Sequence, residues 1–121
     1  MEFGETDPSA WRGDEHRAHV PASDVRFSRR ELEPILRLYG RKVAAGEWRD
    51  YAIDFLKDRA VFSVFRRACE VPIYRIEKNP KLARRQGAYS VISATGHIVR
   101  RGEELDRVLG VLDRALRVVP G

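Results

Sequence analysis

The stretch Tyr51–Glu77, YAIDFLKDRAVFSVFRRACEVPIYRIE, constrains the fold more than any other part of the chain. It holds three short apolar runs separated by charged turns, a spacing that suits strands and is too short for three helices. In Tyr51–Leu56, Tyr51, Ile53 and Phe55 share one face by the period of two. Ala60–Arg67 sets Phe62 and Val64 against Val61 and Phe65, apolar on both sides, as in a central strand covered at least in part on both faces. Val71–Glu77 contains Pro72, which cannot donate to a ladder and so belongs at the strand's start or on an edge. Asp58-Arg59 and Ala68-Cys69 are the turns. The reading is an antiparallel meander, and an exposed third strand would leave room for a homo-oligomer through edge pairing.

The flanking segments read as covers for that sheet. Val25–Phe27 suggests a short strand. Ser28 and Glu31 then form an S-x-x-E capping box, in which hydroxyl and carboxylate satisfy orphan amides reciprocally. Leu32, Leu36, Tyr39 and Val43 recur at four, three and four, with Ile35 widening the stripe, so a helix runs from Ser28 toward Gly46. Pro34 is harmless only in its first turn. Trp48 reads as a wedge between helix and sheet. After Lys78–Gly87, Ala88–Ser93 resumes an extended pattern, Ala94-Thr95-Gly96 turns, and His97–Arg100 gives a short strand. Leu105, Val108, Leu109, Leu112 and Leu116 define a last helix, with Glu103 and Glu104 at the end where the helix dipole favours anions. The fold class is α+β: one antiparallel sheet of four to five strands packed with an N-terminal and a C-terminal helix. The core is assigned to Leu32, Leu36, Tyr39, Ile53, Phe55, Phe62, Val64, Ile73, Ile76, Val91, Leu105, Leu109 and Leu112.

Charge is unevenly spread. Six acids oppose two arginines in residues 1–24, although the chain's formal net charge is +5. That segment has no period and holds Gly4, Pro8, Gly13 and Pro21, so it reads as a disordered acidic tail on a single basic domain, 25–121. From Lys57 to Arg101 there are eleven cations and three acids. Lys78–Gly87, KNPKLARRQG, has four cations in ten residues and no acid. The candidate anion-binding cations are Lys78, Lys81, Arg84, Arg85, Arg100 and Arg101, with Tyr74 and Tyr89 placed to stack on bases. Neighbouring residues of a strand face opposite ways, so paired arginines do not by themselves make one basic surface.

Motifs for catalysis are incomplete. His16 and His19 have a helical metal spacing but no third ligand in their tail. His97 sits beside a turn with no base–nucleophile pairing. Cys69 is the chain's one cysteine, so it can form no internal disulfide, and it lacks a Cys-x-x-Cys partner. Asp50, Asp54, Glu70 and Glu77 are available, but Glu77-Lys78 lacks the one-residue gap of metal-dependent nucleases. There is no phosphate loop and no nucleophile elbow. No catalytic residue, metal or cofactor is assigned. The single cysteine, the lack of an apolar leader and the lack of a membrane-length apolar run set the expectation of a cytoplasmic protein with no membrane contact.

The strings Leu38-Tyr39-Gly40, AAGEWRDYAIDFLKDRAVFSVFRRA (Ala44–Ala68) and PIYRIEKNPKLARRQGAYSV (Pro72–Val91) resemble the small bacterial family catalogued as domain of unknown function 2794. The resemblance covers about residues 25–118. It implies a stand-alone cytoplasmic domain and no activity, cofactor or site residue. The residues themselves favour a non-enzymatic module binding RNA or DNA phosphates on a basic surface. The alternative is an adaptor for an acidic protein, with the acidic tail competing for the same face.

Overall fold

A computed structural model describes residues 24–67 and 71–117, with side chains described as far as Asp113. The expectations for the acidic tail, His16, His19, Cys69 and the Ala68-Cys69 turn lie outside those residues, save Asp24 at the tail's end. The elements are α1 (Arg29–Ala44), β1 (Asp50–Phe55), β2 (Ala60–Phe65), β3 (Tyr74–Lys78), a 3-10 turn (Pro80–Leu82), β4 (Tyr89–Ser93), β5 (Ile98–Gly102) and α2 (Leu105–Arg117). All five strands pair antiparallel in sequence order, β1-β2-β3-β4-β5. The fold is α+β, a five-stranded meander with a helix from each side of it in the chain.

Register explains which face is covered. Ile53, Phe62, Ile76 and Val91 are cross-strand partners in one row. They meet Ile35 and Leu38 of α1 and Leu105, Val108, Leu109 and Leu112 of α2 in a single cluster. Both helices therefore lie over the same face. Phe62, Ile35, Leu38, Ile76, Val64, Val91 and Val108 are fully buried, each stabilising by about 1.5–3 kcal/mol through burial. The opposite face carries the row Asp54, Val61, Glu77, Ser90 and Arg101 together with Phe65 and Ile92, and Val61 and Ile92 are buried there as well.

Four details differ from the sequence reading. Leu36 is 40% exposed and Val43 is 41% exposed, while Ile35, Leu38 and Lys42 face inward. The helix is turned by one residue because the apolar stem of Lys42 fills a core position that the pattern gave to Val43. Val25–Phe27 is no strand; the Val25 amide donates to the Leu56 carbonyl at 2.8 Å and Phe27 is buried. β3 begins at Tyr74 and lies in the middle of the sheet, so it offers no free edge for dimerisation; the edges belong to β1 and β5. β5 runs from Ile98 to Gly102, past its expected end.

The row Phe55, Ala60, Lys78, Tyr89 and Gly102 crosses one end of the sheet. The N-termini of α1 and α2 and the segment 79–88 gather there. The row Tyr51, Val64, Tyr74 and Ser93 marks the other end, beside Trp48 and the end of α1.

Candidate anion-binding cleft

Segment 79–88 is a built corner. The Asn79 side chain accepts from the Lys81 amide at 3.1 Å and caps the 3-10 turn. The amides of Gln86 and Gly87 then return to the Leu82 carbonyl at 3.0 and 2.9 Å. Gly87 has φ +97°, and a Cβ there would run into the Gly102 backbone and lie 2.7 Å from the Glu103 nitrogen. Only glycine lets this corner rest on the end of β5. That approach brings Arg85 and Gln86 beside Arg100 and Arg101, residues fifteen or so apart in the chain.

The result is an open cleft of about 380 Å³ lined by Arg85, Gln86, Arg100, Arg101, Gly102, Glu103, Glu104, Arg107 and Val108. Because β5 is an edge strand, residues from both of its faces border the same space. Arg101 Nη1 donates to Gln86 Oε1 at 2.6 Å, while its buried Nε has no hydrogen-bond partner. Arg107 pairs with Glu104 at 3.2 Å, both strongly exposed. Arg85, Arg100, Lys81 and Arg84 are exposed and form no ion pair with a described carboxylate. Four arginines thus face two glutamates, one of which is already engaged.

The other candidate residues have structural partners. Lys78 Nζ donates to the Arg26 carbonyl at 2.7 Å and to Glu31 Oε1 at 2.9 Å, and its side chain is 20% exposed. The Tyr89 hydroxyl donates to Glu31 Oε2. Glu31 also accepts from the Ser28 amide at 2.7 Å, completing the capping box. Burial pushes the Glu31 carboxyl up, but the donors Tyr89, Lys78 and Ser28 outweigh it and hold the group below its usual range. Burial, and then the hydrogen bond to Glu31, push the Tyr89 hydroxyl up to about 12. Tyr74 is half-buried against the core at the other end of the sheet, remote in register from the cleft. Tyr89 pairs in register with Gly102 at the edge of the cleft, and neither tyrosine lines it.

Arg107 is a cleft residue that the charge pattern of the sequence does not single out. The signal that points to it is its position one turn into α2, where the β5 corner must pass. Elsewhere, Glu77 lies between Arg75 and Arg59 at 3.4 and 3.7 Å, and Asp54 is exposed. His97 closes the β4–β5 turn through its backbone, its carbonyl 2.8 Å from the Ser93 amide. Among the described residues, no three His, Cys, Asp or Glu side chains stand close enough to hold a metal ion, and no helix is long and apolar enough to cross a membrane.

Fold and cleft together define a small meander domain with two helices on one face and an arginine-lined notch at one end. The chain belongs to the family described as "Protein of unknown function (DUF2794)", which matches residues 25–109, from the first fold contact of Val25 into the middle of α2. No curated protein and no solved structure matches it.

Proposed function

We propose that this domain is a cytoplasmic, non-enzymatic module that binds nucleic-acid phosphates in the arginine cleft. One observation carries the reading: Arg85, Arg100, Arg101 and Arg107, from a loop, a strand and a helix, line the same open space. Lys81 and Arg84 extend the field along the adjoining corner. Guanidinium groups suit phosphate because their fixed fork of donors matches two oxygens at once. Cations this close lie within one Debye length, so they act on a polyanion jointly. The cleft is shallow and offers no base-reading pocket, which fits backbone contact without sequence preference.

The test is an electrophoretic shift of generic RNA and duplex DNA by the full chain at two salt concentrations. Log affinity should fall steeply with log salt as counterions are released, and neutralising one phosphate-binding cation should shallow the slope by about one. Arg85→Gln with Arg100→Gln should weaken binding to both nucleic acids alike. Unchanged binding in that double variant, or none at low salt, rejects the reading.

A second reading has its own support. The acidic segment 1–24 joins the fold where Val25 bonds to Leu56, at the same end of the sheet as the cleft. An acidic protein partner would then compete with that segment for the same cations. Deleting residues 1–24 should strengthen capture of such a partner; equal capture removes the segment from the account.

A further inference from the structure

The other end of the sheet holds a pocket of different character. Lys42 lies on the buried side of α1 with only 3% of its side chain exposed. Its ammonium is 3.5 Å from Glu47 Oε1, a long contact to a carboxylate that is itself 41% exposed. It also faces the Trp48 ring at 5.7 Å. The stem is buried, while the ammonium, with three donors to satisfy, borders the adjoining pocket. Among the described residues, one distant oxygen and one ring face are what it meets. Beside it is a pocket of about 130 Å³ lined by Lys42, Glu47, Trp48, Arg66 and Tyr74 along with two apolar residues. Arg66 is exposed at the mouth and forms no ion pair with a described carboxylate.

Position follows from the backbone. The Lys42 carbonyl accepts from the amides of Glu47 and Trp48 at 2.9 and 3.3 Å, so the chain reverses tightly after α1. That turn carries Trp48 into the core, 4% exposed, and brings Glu47 back over Lys42. The volume decides the ligand class. Water occupies about 30 Å³ in the liquid, so the pocket holds roughly four waters or one small ion. It is too small for a nucleotide, whose sites start at about 300 Å³. Two cations face one carboxylate across it, so the deficit is of negative charge.

We propose that this pocket is a site for a small oxyanion, a phosphate or a short carboxylate, held by Lys42 and Arg66 against Trp48. The proposal is independent of the arginine cleft. Glu47 acts as the internal competitor: it stays near the ammonium when the pocket is empty and yields when an oxyanion enters.

The probe is Trp48 fluorescence in the full chain carrying Trp11→Phe, titrated with inorganic phosphate and, separately, with acetate. Chloride at matched ionic strength is the control. A saturable change with phosphate or acetate, absent with chloride, is expected, and the tighter of the two identifies the source. Lys42→Met keeps the stem and removes the charge; binding should weaken on the order of tenfold or more. Arg66→Gln, at an exposed position, should weaken it less. Glu47→Gln should strengthen it, which a purely structural lysine would not produce. Arg100→Gln should leave it unchanged, which separates this site from the nucleic-acid reading. No saturable change with either anion, or equal binding by Lys42→Met and Arg66→Gln, overturns the proposal.

Discussion

The two ends of the sheet solve the same closure problem by different means. At the cleft end, polar groups do the joining. Glu31 ties the start of α1 to β3 through Lys78 and to β4 through Tyr89, and Gly87 sits directly on Gly102. At the far end, rings do it. Tyr51 stacks on Phe62 with centroids 4.9 Å apart and planes 5° from parallel, and Tyr39 meets Tyr51 edge-on at 4.9 Å and Trp48 at 6.2 Å. Polar joints tolerate water and charge nearby, so the end they hold can display exposed arginines such as Arg85 and Arg100. Aromatic joints exclude water, so Lys42, the buried charged side chain beside them, becomes conspicuous.

If the far end rests on ring burial, removing its largest ring should have the largest effect of any single change. Trp48→Ala should cost about 3–5 kcal/mol, enough to abolish the cooperative thermal transition of a chain this size. A loss under about 1 kcal/mol would mean that the aromatic end is loosely packed and that the contrast is false. At the polar end, the counterpart is Gly87→Ala. Its φ of +97° and the collision with Gly102 and Glu103 add strain to steric displacement, so about 3 kcal/mol is expected by denaturant unfolding. The double effect distinguishes it: stability falls, and nucleic-acid binding falls further as Arg85 moves from Arg100. Reduced stability with binding retained in the folded fraction would detach the cleft from the corner.

The legible and illegible parts of this fold divide along the same physical line. The meander and its strand number to within one are readable because short apolar runs are separated by charged turns, and Tyr51–Leu56 marks its core face by a period of two, whereas Ala60–Phe65 is apolar on both faces and buried almost throughout. The capping box at Ser28 and Glu31 is readable because it is local. What Glu31 does beyond the cap is not, since Lys78 and Tyr89 reach it from 47 and 58 residues away. For the same reason Lys78 and Tyr89 look like free binding groups in the sequence and are engaged in the fold. Lys42 misleads the helix reading because apolar-stripe logic treats lysine as solvent-facing, while its four-carbon stem packs like an aliphatic chain. The arginine cleft is half legible. Charge density marks the region, but only the close approach of Gly87 to Gly102 decides that Arg85, Arg100 and Arg101 share a space.

The polar joint should also reveal itself through pH. Glu31→Gln keeps the shape but loses the charge-assisted bonds, leaving Lys78 partly buried beside a neutral amide; about 2 kcal/mol is expected. Glu31 has its pKa depressed in the fold, so its contribution is present at neutral pH and is lost as pH falls through the folded value, below 4.5. Tyr89 works in the opposite direction. Its hydroxyl ionises near 10 when unfolded and at about 12 when folded, so the folded state holds the proton longer. Stability from this group is complete below pH 10 and declines between 10 and 12. Tyrosinate absorbance should show Tyr39 and Tyr89 titrating late in the native chain, and Glu31→Gln should bring the Tyr89 transition earlier while leaving that of Tyr39 in place. A native titration in which Glu31→Gln changes nothing would remove Tyr89 from the joint.

The smallest effect tests whether ring geometry matters at the aromatic end beyond buried area. Tyr51 is 41% exposed, so area alone gives it little weight. Yet its ring lies flat on Phe62, which is fully buried, and meets Tyr39 at its edge. Offset and edge contacts of this kind contribute about 0.5–1.5 kcal/mol beyond burial. Tyr51→Leu retains much of the apolar packing and removes the ring, so a destabilisation of about 1 kcal/mol is expected in urea unfolding with the m-value unchanged. Pairing it with Phe62→Leu in a double-mutant cycle isolates the ring–ring contribution from the larger cost of altering Phe62. Coupling near zero would reduce the aromatic end to ordinary apolar packing. Coupling of the expected size would show that its rings are held in one arrangement, which is the condition under which Trp48 can present a fixed wall to whatever Lys42 binds.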